Sequence, residues 1–171
     1  MGQSLPHSRG IHQGTPTMAA IIDSEVFLAF STYATIVILK MMFMSFLTAY
    51  FRITRKAFAN IEDVHTHMAK TPEEKKKMLR VNEDVERVRR CHLNDLENII
   101  PFVLIGLLYT LTGPELSTAL LHFRLFVGSR FVHTIVYVTS MPQPSRGLSW
   151  IVGIGAIVSM AYHVLNTVLR L

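Results

Sequence analysis

Four long apolar runs decide the fold, and the first is the clearest. Residues 26–51 read VFLAFSTYATIVILKMMFMSFLTAYF, 26 residues in which Lys40 is the one charged side chain. An α-helix rises about 1.5 Å per residue, so about 20 apolar residues cross the ~30 Å hydrocarbon core of a bilayer. This run therefore predicts a membrane-spanning helix.

Three further runs follow along the chain. Residues 117–138 and 148–169 have 22 residues each, and 13 uncharged residues at 99–111 follow a patterned polar start at His92. Open backbone polar groups are too costly in lipid, so each span is expected to be helical. The sequence predicts an all-α integral membrane protein, a four-transmembrane-helix bundle with helices at about 26–51, 88–112, 117–139 and 147–169.

The composition of the 171 residues agrees with this interpretation. Half of the residues are apolar and 17% are charged, which disfavours an ordinary soluble domain and excludes intrinsic disorder. The single cysteine excludes an intramolecular disulfide framework and a cysteine-rich metal site. We predict a flexible tail at residues 1–22 and one membrane domain at residues 23–171.

The connections between the runs predict the orientation in the membrane. Residues 52–87 are predicted to form a loop, and together with the next four residues they hold 11 of the 17 basic residues and seven acids. The turn at 112–116 has no basic residue, whereas the Pro-rich turn at 140–146 has one. Because cytosolic loops are enriched in Lys and Arg, the first and third connections are expected in the cytosol and both termini on the lumenal or outer side.

Polar side chains inside the predicted spans are where a function is expected, because ionisable groups are costly at membrane depth. They form two helical stripes that can face one another in a bundle: Arg90, Asn94 and Glu97 with Arg89 and His92 beside them, and Arg130, His133 and Tyr137 on the next helix. A buried salt bridge such as Glu97 with Arg130 would be a purely structural explanation.

The pocket expected between these stripes is strongly cationic. Arginine forks bind carboxylates bidentately, so the pocket suits a ligand with several carboxylates, and Glu97 suits the ammonium group of that ligand. Glutathione fits this description, and anionic lipid headgroups also satisfy the arginines. The charged residues counted here are Arg52, Arg89, Arg90, Arg130 and Arg146, against Asp95 and Glu97.

One segment of the second helix carries a family resemblance. Residues 85–102, VERVRRCHLNDLENIIPF, closely resemble the helix-two signature of the MAPEG membrane proteins. The resemblance runs from about residue 23 to residue 171, with the tail and residues 65–78 outside it. Shorter agreeing segments are EVF at 25–27, TRK at 54–56, FAN at 58–60, LHFRLFVG at 121–128, HT at 133–134 and PQP at 142–144.

The resemblance implies a protomer of a homotrimer that binds glutathione between neighbouring subunits near the cytosolic side. It implies conjugation of the glutathione thiol to lipophilic electrophiles and reduction of lipid hydroperoxides, in the endoplasmic reticulum and mitochondrial outer membranes. Membrane lipids are the other expected partners, with no metal and no nucleic acid. By motif position it implies glutathione contacts at Arg52, Arg89, Arg90, His92, Glu97 and Tyr137, with Asn94, Arg130 and His133 as further candidates.

Arg146 is implied as the catalytic residue, placed to hold the thiolate. A thiol is a weak nucleophile until it ionises, its pKa is about 8.5, and a nearby guanidinium favours the charged form. The apolar second substrate can enter the same cleft laterally from the bilayer, so holding the two reactants together is much of the catalysis.

Two other functions stay open. A prostaglandin E synthase of the same family also uses glutathione and the pattern at residues 90–97, and a non-catalytic lipid-binding or scaffold protein would not need Arg146 and Tyr137 in a thiol pocket. One departure concerns cysteine. Val64 stands where related proteins carry a cysteine whose modification raises activity, whereas Cys91 here is either a reactive thiol beside cations or a small helix residue.

Overall fold

The computed structural model describes residue 22, residues 24–66 and residues 70–170, and the tail predicted at residues 1–22 lies almost wholly outside them. Within the described residues the regular secondary structure is helical, which confirms the predicted all-α class. Its elements are α1 (Glu25–Arg55), α2 (Ile61–Thr66), α3 (Pro72–Met78), α4 (Glu83–Leu111), α5 (Leu116–Val138) and α6 (Ser145–Val168).

The four long helices pack into one bundle. Helix α1 lies against α4 and α5, and α6 lies against α5 and α4. The centre of the bundle is aromatic: the ring of Phe102 stacks on that of Phe126 with centroids 3.9 Å apart, and the rings of Phe30 and Phe123 lie 5.7 Å apart. Large apolar side chains such as Leu39 and Phe46 point outward, which suits a surface that faces lipid.

Three segments of the described residues are long and apolar enough to cross a membrane. They are α1, residues Pro72–Leu111, which include α4, and α6. Helix α5 has 23 residues and carries two arginines and two histidines, so its crossing stays a prediction.

The observed ends of α1 and α4 that flank the segment at 52–87 differ from the predicted ones. Helix α4 begins at Glu83 rather than near residue 88, because the side chain of Asn82 accepts hydrogen bonds from the backbone N–H of Asp84 and of Val85, at 3.0 and 3.3 Å. Helix α1 continues to Arg55 and stops at Lys56, whose φ is 49°. The predicted loop at 52–87 contains α2 and α3. The apolar run therefore predicts the membrane-spanning part of a helix, whereas the capping residues determine where the helix begins and ends.

Glu115 caps the N-terminus of α5. Its carboxylate accepts hydrogen bonds from the Ser117 hydroxyl and from the backbone N–H of Ser117 and of Thr118, the latter two at 3.0 and 3.1 Å. These bonds, that of the Ser117 hydroxyl first, lower the pKa of Glu115 from 4.5 to about 2. Since the folded state holds the ionised form, the stabilisation is full above pH 4.5 and is lost as the pH falls towards 2.

We therefore expect Glu115→Ala to unfold at a lower temperature than the wild type at neutral pH. The difference in unfolding temperature between the two proteins should decrease as the pH falls from about 4.5 to about 2, because the wild-type carboxyl then becomes protonated. Thermal unfolding of both proteins in detergent micelles across this pH range measures it. A gap that is the same at both ends of the range would contradict the capping role.

Gly106 lies where α4 meets α1. A Cβ at this position would lie 2.5 Å from Cε2 of Phe30, whose ring is buried against Phe102 and Phe123. We expect Gly106→Ala to lower the free energy of unfolding by about 1–3 kcal/mol, because the packed ring must shift. Gly155→Ala is the matched control, since its added Cβ would meet no described atom within 4 Å beyond its chain neighbours and the adjacent backbone of its own helix. Equal unfolding temperatures for the two variants would contradict this packing.

Candidate functional site

Three charged side chains meet inside the bundle, and we call them the ionic cluster: Lys40 of α1, Asp95 of α4 and Arg130 of α5. Nζ of Lys40 lies 2.5 Å from Oδ2 of Asp95, and Nη2 of Arg130 lies 3.1 Å from Oδ1 of the same carboxylate. Asp95 and Arg130 are both 0% exposed. The buried partner of Arg130 is therefore Asp95, and the alternative of a Glu97–Arg130 pair is wrong, since Glu97 is exposed on the surface of α4.

A cavity beside the cluster collects four of the predicted site residues, and we call it the tyrosine cavity. Its volume is about 220 Å³. Cζ of Arg146 lies 5.0 Å from the ring centroid of Tyr137, so the guanidinium stands over the aromatic face. The cavity is lined by Asn94, His133, Tyr137, Gln143, Arg146, Gly147 and Trp150.

The hydrogen bonds around His133 define what this cavity offers to a ligand. The Ser149 hydroxyl donates to the backbone carbonyl of Arg146 at 3.0 Å, so its oxygen is free to accept from Nδ1–H of His133 at 3.1 Å. His133 then keeps the lone pair of Nε2. Within the described part of the chain, Nε2 of His133 and Nε of Arg146 are buried without a hydrogen-bond partner. Two residues that line the cavity thus have a polar atom whose hydrogen-bonding capacity is unfilled.

A second cavity lies near the C-terminal end of α1, and we call it the arginine cavity. Its volume is about 470 Å³. The guanidinium of Arg89 is held on α4 by Glu86, with Nε 3.1 Å from Oε2. The lining residues are Ser45, Thr48, Ala49, Arg52, Ile53, Phe58, Asp63, Arg89 and His92. Arg52 and Arg89 give it the charge that a carboxylate ligand needs.

The structure therefore divides the predicted site residues into separate groups. On α4, Arg89 and His92 of the arginine cavity lie five and two residues before Asn94 of the tyrosine cavity, so at ~100° per residue they are roughly 140° and 160° from it around the helix. The two cavities share no lining residue. Arg130 lies in the ionic cluster rather than in either lining, and Arg90 and Glu97 are exposed on α4.

Some residues of this region escaped the sequence analysis. The sequence counts Asp95 among the pocket charges and does not identify it as the partner of Lys40. A lone lysine in a 26-residue apolar run is itself a signal that a buried acid lies nearby. Gln143 and Ser149 carried no signal beyond their closeness to Arg146 in the sequence.

Cys91 is fully buried and packs as a core residue against Met44 and Val88. Its Sγ lies 3.8 Å from Oγ1 of Thr134. Among the described residues, no group of three His, Cys, Asp or Glu side chains is placed to hold a metal ion.

Comparison with known proteins gives the family. The MAPEG family model matches residues 30–166. The chain is 58% identical over 154 residues to microsomal glutathione S-transferase 1 from Sus scrofa and from Homo sapiens, which covers 90% of this chain and 98% of each relative. It is 34% identical over 149 residues to prostaglandin E synthase from Equus caballus, which covers 87% of this chain and 94% of that protein. The chain therefore belongs to the MAPEG family.

Proposed function

We propose that this chain is a membrane glutathione transferase, which conjugates glutathione thiolate to hydrophobic electrophiles. The observation that carries the proposal is the 58% identity to microsomal glutathione S-transferase 1 over 98% of that protein. The identity to prostaglandin E synthase is 34%, so the transferase is favoured over the isomerase. The apolar helices anchor the chain in a membrane, and hydrophobic electrophiles dissolve in that membrane.

The tyrosine cavity is where we place the thiolate. Ionisation of the thiol releases a proton to water and leaves a negative sulfur, which the guanidinium of Arg146 stabilises. Tyr137 holds that guanidinium from below, with 5.0 Å between Cζ and the ring centroid. The sulfur then attacks the electrophilic carbon, and the leaving group departs with the bonding pair. No covalent bond to the protein is needed.

The rest of glutathione requires charges that the tyrosine cavity lacks. We assign its carboxylates to Arg52, Arg89 and His92 of the arginine cavity, with Arg90 beside them, and its ammonium to Glu97. Asn94 and His133, in the lining of the tyrosine cavity, contact the part of the tripeptide near the sulfur. Lipid hydroperoxides are reduced at the same place, where two glutathione molecules become a disulfide and the hydroperoxide becomes an alcohol and water.

A homotrimer accounts for how the two cavities serve one ligand. They lie on different faces of α4, so the arginine cavity of one copy and the tyrosine cavity of the next can close around one glutathione in a cyclic assembly. Exposed charges support this arrangement. Arg124 and Glu97 are exposed on long helices of the bundle, and a charge facing lipid is costly unless another chain covers it.

We further propose that α5 is the fourth membrane-spanning helix. Its 23 residues reach about 34 Å at ~1.5 Å per residue. The four crossings, the basic segment at 52–87 in the cytosol and both termini on the lumenal or outer side make one consistent topology. The membranes we assign are those of the endoplasmic reticulum and the outer mitochondrial membrane.

The experiment that tests this function uses the purified full chain in lipid vesicles with glutathione. It offers three second substrates in parallel: an activated aryl halide, a fatty-acid hydroperoxide and a prostaglandin endoperoxide. We expect a thioether product from the first and an alcohol from the second. Turnover of the endoperoxide alone would favour the isomerase, and absence of glutathione binding by calorimetry would favour a lipid-binding or scaffold protein.

A further inference from the structure

The ionic cluster and the tyrosine cavity meet at one side chain, that of Asn94. Nη2 of Arg130 lies 2.7 Å from Oδ1 of Asn94 and 3.1 Å from Oδ1 of Asp95. A guanidinium only donates hydrogen bonds, so the side of the amide that faces it must be the carbonyl oxygen. The amide nitrogen of Asn94 therefore points away from Arg130, and Asn94 is one of the residues that line the cavity.

We propose that Arg130 is a positioning residue for glutathione binding: it fixes the amide of Asn94 so that its N–H groups donate into the tyrosine cavity. Arg130 does not line that cavity, so it acts through Asn94 and does not touch the ligand. This deepens the proposed function and rests on it, because the cavity must hold glutathione.

The burial of Arg130 stabilises this orientation of the Asn94 amide. Arg130 is 0% exposed, so water does not compete for its donors. Its partner Asp95 is 0% exposed as well and is held from the other side by Lys40, at 2.5 Å. The amide of Asn94 on α4 is thus oriented from α5, by a guanidinium that its ion pair with Asp95 keeps in place.

The orientation of the Asn94 amide decides whether it attracts or repels the ligand. An amide that presents its nitrogen offers two donors to an anionic or carbonyl oxygen, or to a thiolate. A flipped amide would present an oxygen, which repels such groups. Arg146, in the same cavity, attracts an anionic ligand. An Asn94 amide that presents its N–H groups strengthens this attraction, and a flipped amide weakens it.

The test compares Arg130→Met with a matched control, Lys40→Met. Each variant removes one cation from the ionic cluster and leaves a neutral pair with Asp95, but Lys40→Met keeps the contact between Arg130 and Asn94. We expect the KM for glutathione to rise roughly tenfold in Arg130→Met, the effect of one hydrogen bond to an anion, with kcat little changed. Lys40→Met should stay close to the wild type in KM.

A double-mutant cycle with Asn94→Ala then identifies the route. If Arg130 acts through Asn94, Arg130→Met raises the KM for glutathione in the wild-type background and adds little in the Asn94→Ala background. An equal rise in both backgrounds, or an equal rise in Lys40→Met, overturns the proposal. Arg130→Lys keeps the buried charge and serves in the same cycle if Arg130→Met does not accumulate.

The wild type in the same assay separates this inference from the function on which it rests. Conjugation of an aryl halide by the wild type, with additive effects in the cycle, overturns the positioning role alone. A wild type that neither binds nor turns over glutathione overturns both. A non-additive cycle on an active wild type supports both.

Discussion

Arg146→Ala is expected to lower the rate of glutathione conjugation to an activated aryl halide by about 100-fold, the usual loss when one charge-stabilising donor is removed from an active site. The physical reason is the thiol pKa. Without the guanidinium that stands over Tyr137, the thiolate loses the positive charge beside it, and less glutathione is ionised at neutral pH. The ultraviolet absorbance of the bound thiolate should fall in parallel.

Arg170→Ala is the control for this substitution. Arg170 is exposed just beyond the end of α6, so its loss removes the same charge from the chain without touching the tyrosine cavity. Activity and thiolate absorbance should both stay at the wild-type level. If Arg146→Ala kept both as well, the thiolate would have to be held elsewhere.

Asp95→Asn is expected to lower the free energy of unfolding by about 3–5 kcal/mol, the typical cost of breaking a buried ion pair from one side. The carboxylate lies between the ammonium of Lys40 and the guanidinium of Arg130. Its removal leaves two like charges buried in the bundle. Thermal or denaturant-induced unfolding in detergent micelles measures the change.

The matched control is Asp84→Asn on the same helix. Asp84 is also placed between two cations, with Nε of Arg55 at 3.0 Å and Nη1 of Arg87 at 2.8 Å, but it is partly exposed. Water screens these pairs, so we expect a loss of about 1 kcal/mol or less. Equal losses for the two variants would mean that burial of the ionic cluster contributes nothing.

Long apolar runs and the residues 85–102 were enough to predict the helical class and the family. The 26-residue run of α1 needs no partner to be recognised, because crossing a bilayer is a property of one segment. Helix ends were harder, since α4 extends to Glu83 through the cap of Asn82 in a polar stretch where hydrophobicity gives no signal.

The candidate site was predicted in part. Helical spacing placed His133 and Tyr137 on one face, and the structure finds both in the tyrosine cavity. The same spacing includes Arg130, which instead pairs with Asp95 in the core. Helical spacing predicts which face of the helix a side chain lies on, but not how deeply it is buried or which residue it contacts. Spacing alone therefore cannot distinguish a ligand contact from a buried ion pair.

Loop chemistry was the least predictable part. Val64 is 0% exposed in α2, and Cys91 is 0% exposed in α4. The burial of Val64 does not follow from the sequence, because the segment at 52–87 is polar and its short helices depend on tertiary contacts. One of these is the hydrogen bond from the backbone N–H of Phe58 to the carbonyl of Met78, at 2.8 Å.

The order of the ionic cluster along the chain has a consequence for biosynthesis. Lys40 emerges from the ribosome 55 residues before Asp95, and Arg130 follows 35 residues later. During that interval α1 enters the bilayer with an unpaired ammonium, a cost of about 3 kcal/mol that its apolar neighbours must offset. The Lys40 ammonium of the nascent chain is thus neutralised only when α4 brings Asp95 beside it. Insertion of α1 alone does not stabilise this charge, and packing of the helices against each other is also required.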